Sequence, residues 1–368
     1  MNTRKLIQNL QGIIKRVLLA TTLALCLGSA IAQNMVVVNN TPGIVADYKT
    51  LQGAVDSVTD GTLILLQPGF DTYGNITIKK RVSIIGAGYF LNHNPDPTRQ
   101  ATPSASVVSS LVFDTASNGS YVTGLSITGL NNPGNRVQFS NTSNVTVSRC
   151  LIGPSGTLFG GYKSNLITVK QSYIQIAGTG HATILFTREA TDFQFLNNVF
   201  DNEGYGFQLP GEYFTNYNAS VLFQNNVMFN LFNPIYYPSA CTFINNIIFQ
   251  GTGFGTVNAA AASNNVGNAT YSAAGPNITN AVKADVFVLN SDPNIASLDG
   301  RFQLKTGSVA IGYGQGGVDC GVFGGLANQR YELSGIAEFV PNIFYLNVPA
   351  VGTANGGLPV HIKVRANR

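Results

Sequence analysis

Between residues 181 and 217 the chain gathers the side chains best suited to chemistry: His181, Arg188 with Glu189, Asp201, Glu203 and Glu212. Tyr205, Tyr213 and Tyr217 are interleaved with them. A pair of carboxylates is the minimum equipment for glycoside hydrolysis, and tyrosine faces offer platforms for sugar rings. The plainer reading is that these are solvated turn charges with no reaction to perform. His93 in a Pro/Asn-rich loop and His361 between Val360 and Ile362 read as surface residues. No Cys/His spacing fits a structural zinc site, so no metal site is expected.

What must position these residues is a repeat. Asn197-Asn198, Asn225-Asn226, Asn245-Asn246 and Asn264-Asn265 each sit in the frame apolar-x-apolar-x-x-Asn-x-apolar. It reads Phe193, Phe195, Asn198, Phe200, then Val221, Phe223, Asn226, Met228, then Cys241, Phe243, Asn246, Ile248. Earlier copies place Ser172 and Cys150 at the Asn position, and a weaker one places Leu125 there. The steps between copies are 25, 22, 26, 28, 20 and 19 residues, the signature of a solenoid. Apolar residues two apart define strands with one buried face, and no stretch between copies has helical periodicity. The expected fold is therefore an all-β, right-handed parallel β-helix with one strand set per repeat. Cys150, Ser172, Asn198, Asn226, Asn246 and Asn265 should stack as a ladder at one corner. Phe195, Phe223 and Phe243 should form a buried column.

Residues 1–32 read as a signal peptide: Arg4, Lys5, Lys15 and Arg16, an apolar core from Val17 to Leu27, and Ala30-Ile31-Ala32 at the cleavage site. The apolar run is too short to span a membrane, and no later run replaces it. The leader holds four of the 21 basic residues and none of the 17 acidic ones, leaving 17 of each. A chain without basic excess is a poor partner for nucleic acid. About as many asparagines as the 40 glycines, with 10% charged residues, give an uncharged polar surface suited to an extracellular protein that meets sugars. Cys150, Cys241 and Cys320 read as buried thiols.

The expected organisation is an entry cap over residues 33–61 with a short amphipathic helix, coils over 62–270, an exit cap over 271–327 and a tail over 328–368. The tail should carry an antiparallel hairpin from Ile343–Val348 and Leu358–Val364.

The coils, the entry segment PGIVADYKTLQGAVDSVTDGTLILLQPG and the exit segment FQLKTGSVAIGYGQGGVDCGVFGG resemble the pectin-lyase-like superfamily. VSIIGAGYFLNHNP, YVTGLSI and the chain's ending are similar to a group of uncharacterised exported bacterial β-helix proteins. The resemblance implies export and a β-helix, and it leaves the chemistry open, because the superfamily includes lyases, hydrolases and inactive scaffolds. Its lyases place clustered carboxylates, often with calcium, and an Arg or Lys base on the outward face of one sheet. Here the outward positions are Ser148, Lys170, Leu196, Gln224 and Ile244, with no acidic cluster, so calcium is unsupported and no cofactor is expected. Lys170 and Arg188 remain the candidate bases. Gly180-His181-Ala182 only approaches the Gly-His-Gly of the hydrolases. The expectation is an exported scaffold or carbohydrate-binding surface protein, whose partners are polysaccharide or cell-surface components. The alternative is a polysaccharide lyase or glycoside hydrolase acting on an acidic glycan.

Overall fold

Alternation of apolar and polar residues buries one face of each coil strand, and in the coils that face turns toward a common bore. In the computed structural model the described residues are 34–91, 104–128, 135–155, 158–176, 184–186, 190–202, 220–231, 241–250, 256–257, 259–289, 297–337, 341–349, 351–352 and 357–366. They form a parallel β-helix. Its ten-stranded sheet runs from Met35–Val38 through Thr146–Ser148, Asn165–Lys170, Thr191–Leu196, Val221–Gln224 and Cys241–Ile244 to Ala261–Ser263. An eight-stranded sheet includes Tyr173–Ile176, Val199–Asn202, Val227–Leu231 and Ile247–Gln250, and a five-stranded sheet completes the coil. All pairings within these three sheets are parallel, with Phe195 beside Phe223 and Phe223 beside Phe243. Those rings are fully buried and stacked, at 5.1 and 4.9 Å between centroids.

The repeat frame straddles one corner. Its first apolar pair ends a strand of the ten-stranded sheet, and the residue after its Asn begins a strand of the eight-stranded sheet. The Asn side chain enters the corner and binds the coils on either side of it. The Oδ1 atoms of Asn226, Asn246 and Asn265 accept from the backbone N–H of Asn198, Asn226 and Asn246 at 2.8, 2.9 and 2.9 Å. Each amide also donates to a strand carbonyl: Asn226 to Phe195 at 2.8 Å, Asn246 to Phe223 at 2.9 Å and Asn265 to Phe243 at 3.0 Å. Ser172 and Cys150 continue the column in the earlier coils, and Asn277 extends it by one step that the frame did not indicate. Cys150, Cys241 and Cys320 are free and buried.

The entry helix, Leu51–Ser57, is capped by Thr50, whose side chain accepts from Gly53 N–H at 3.2 Å. Leu51, Ala54 and Val55 face the bore, shielding its open end.

A second apolar layer lies outside the bore. Tyr173, Val199, Val227, Ile247 and Val266 follow the corner residues and point outward from the eight-stranded sheet. They are buried beneath Val286, Phe287, Phe302, Cys320, Val322 and Tyr331. A strap then carries the chain back along the same corner from residue 313 to residue 336. Asn264 donates to the Tyr313 carbonyl at 2.9 Å, and Asn245 accepts from Gln315 N–H at 2.8 Å. Asn197 donates to the carbonyls of Val322 and Gly324 at 2.9 and 3.0 Å. Gln171 donates to the Arg330 carbonyl, and Arg149 to the Ile336 carbonyl at 2.6 Å. Gly325 fits so closely that a Cβ there would come 2.3 Å from Asn225 Nδ2. Pro341–Asn347 and His361–Ala366 then form a separate antiparallel ribbon.

Candidate functional site

His181, Arg188, Glu203, Glu212, Tyr205, Tyr213 and Tyr217 lie outside the described residues. Two of the sequence candidates, Asp201 and Lys170, have defined surroundings, and they differ sharply.

Asp201 does not belong to a solvated turn. It lies on the strand Val199–Asn202, 1% exposed, on the outward face of the eight-stranded sheet. There its carboxylate accepts from the Tyr173 hydroxyl and pairs with the Arg301 guanidinium. Arg301 in turn lies over the Phe302 and Phe229 rings, 4.9 and 5.7 Å from their centroids. Burial, with the Asp201 charge second, pushes the Tyr173 hydroxyl well above its ordinary range. Asp201 thus holds the outer layer to the coil, since a carboxylate removed from water needs a partner and close hydrogen bonds.

Lys170 ends the strand Asn165–Lys170 on the outward face of the ten-stranded sheet. Parallel register sets its neighbours. Tyr121, Thr146 and Thr168 stand in one row across successive coils, and Lys170 and Leu196 stand in the next row but one. Asn328 and Gln329 of the strap overhang these rows, and together the seven residues line a cleft of about 320 Å³. The corner ties floor to wall: Gln171, next to Lys170, holds the Arg330 carbonyl, next to Gln329. The left-handed backbone of Gln171, φ 51°, turns its side chain out of the coil to reach it.

This cleft offers one aromatic face, two threonine hydroxyls, two carboxamides and an ammonium group. Such a lining can stack on a ring and exchange hydrogen bonds with hydroxyls. Among the described residues no carboxylate lines it, and no group of three or more His, Cys, Asp or Glu side chains is placed to hold a metal ion. Sequence reasoning reached Lys170 but missed Tyr121, Thr146 and Thr168 as its neighbours. Their alignment was implicit in the repeat, whereas Asn328 and Gln329 belong to a segment outside it.

No protein-family model matches the chain, and no curated protein matches it. Among solved structures, the crystal structure of Escherichia coli YbhC is similar at 14% identity, over 58% of this chain and 76% of that one, with a TM-score of 0.33.

Proposed function

We propose that the protein is an exported β-helix of pectin-lyase-like type that binds a glycan in the cleft above Tyr121, Thr146, Thr168 and Lys170 and does not turn it over. The observation that carries this reading is the lining itself: sugar-compatible groups on a rigid sheet, walled by strap amides, with no carboxylate pair among the described residues. Strand-borne side chains keep their spacing when a ligand binds, which suits recognition of a repeating polymer. Lys170 would attract an acidic sugar, and its ammonium matches a carboxylate as a point charge. The leader-like first 32 residues and the uncharged polar composition support secretion and a place at the cell surface.

Binding to a glycan array, followed by titration of the best acidic polysaccharide, tests the reading. Lys170→Ala and Tyr121→Ala should each weaken binding by about tenfold or more, the scale of one lost charged or stacking contact. Absorbance of unsaturated products should stay flat. Product formation that Lys170→Ala abolishes would replace this reading with a polysaccharide lyase.

A further inference from the structure

The ribbon formed by Pro341–Asn347 and His361–Ala366 is the one described sheet with both faces open. Its register pairs Ile343 with Val364 and, past a bulge, Leu346 with Ile362. Alternation then places Val348 and Val360 on the same face. These six side chains are 40, 54, 50, 52, 47 and 49% exposed, in that order. The opposite face is polar: Tyr345 lies opposite Lys363 and Asn347 opposite His361, with the Lys363 ammonium 5.2 Å from the Tyr345 ring centroid.

A two-stranded ribbon is marginal in water by itself and needs a third layer over an apolar face. Elsewhere in the chain such a face is covered, since Tyr173, Val199, Val227 and Ile247 are buried beneath the exit segment. We infer that the apolar face of this ribbon packs on the same face of a second copy, making a face-to-face homodimer.

Three features select a second copy as the occupant. Among the described side chains the face is wholly aliphatic, with no charge or hydrogen-bonding group to demand a different complement. Packing it on itself about a two-fold axis satisfies it completely. The charges are on the other side, so pairing the apolar faces points Lys363 and His361 of both copies outward and brings no like charges together. The area matches a weak interface. Six half-exposed aliphatic side chains present roughly 400–500 Å² per copy, so the pair would bury roughly 800–1,000 Å², the size of a weak, reversible contact. Two such sheets about 10 Å apart leave room for the two interdigitating side-chain layers.

Sedimentation equilibrium of the purified protein at about 1–100 µM, the range expected of a small interface, tests the inference. The wild type should be dimeric at the upper end. Leu346→Lys should weaken association at least tenfold, and Ile362→Thr, which keeps a β-branched residue in the strand, should weaken it less. Lys363→Ser on the polar face should leave it unchanged, and all three should retain the melting temperature of the coils. A wild type that stays monomeric throughout would overturn the inference. So would a dimer that survives both apolar-face substitutions, because it would be built on a sheet edge or another surface.

Discussion

Two columns of asparagine run side by side along one corner, and they do different work. The inner column, Asn198, Asn226, Asn246 and Asn265, bonds each coil to the next. The outer column, Asn197, Asn225, Asn245 and Asn264, has left-handed backbone, with φ of 54, 56, 58 and 55°. Three of its members turn their side chains away from the bore and bond a strap that arrives from far along the sequence, as when Asn197 reaches Val322. Asn suits both places for separate reasons. Inside, its amide donates and accepts at once; outside, it tolerates positive φ and still offers an amide to passing backbone. The inner column therefore belongs to the stability of the coil, and the outer one to the attachment of the strap and the wall of the cleft.

The largest effect should come from the inner column. Asn226→Ala strips buried partners from the Asn198 N–H and the Phe195 carbonyl. At about 1–3 kcal/mol for each orphaned buried group, it should cost about 2–6 kcal/mol in equilibrium unfolding by denaturant. The neighbouring ring column sets the scale: Phe223→Ala should cost about 3–5 kcal/mol as a cavity-forming change, and a melting temperature near wild type would refute that column.

The outer column should be cheaper and local. Asn197→Ala removes two bonds to strap carbonyls and puts alanine at positive φ, for about 2–4 kcal/mol. Asn197→Gly keeps the backbone geometry at little cost and should lose about 1 kcal/mol less. Equal losses would mean that the bonds to Val322 and Gly324, and not the backbone conformation, carry the whole effect.

The smallest and most selective effect is alkaline. Burial pushes the hydroxyls of Tyr89, Tyr173 and Tyr331 well above the ordinary value of 10.0, and all three sit in the outer layer. A raised folded-state pKa means that their contribution is complete below pH 10 and is lost as pH climbs above it toward the folded values. Raising pH past 10 should thus loosen the strap before the coils. Tyr331→Phe, which also gives up bonds to Tyr89 and Asp299, should blunt that pH dependence when followed by proteolysis of residues 313–336.

The inner architecture was legible in the sequence because it repeats. Phe193-x-Phe195, Val221-x-Phe223 and Cys241-x-Phe243 state the strand, its face and its register together. The outer layer was harder to read, although one signal was present. Val199, Val227, Ile247 and Val266 each follow the inner Asn directly, and apolar residues on consecutive strand positions mean that both faces are covered. The cover itself, Phe302 to Tyr331, has no period to betray where it lies. For the same reason Asp201 looked like a turn charge: its partner Arg301 is distant in sequence, and nothing near Asp201 announces it. The cleft was half legible. Lys170 follows from the repeat, while Asn328 and Gln329 depend on where the strap comes to rest.

Hydrogen exchange of Asn197→Ala against Asn226→Ala, read peptide by peptide, tests the division between the columns most directly. The account predicts that Asn197→Ala speeds exchange in residues 313–336 and leaves the strands 193–196, 221–224 and 241–244 protected, whereas Asn226→Ala raises exchange in those strands. Loss of protection in the strands with Asn197→Ala, while the strap stays protected, would contradict it.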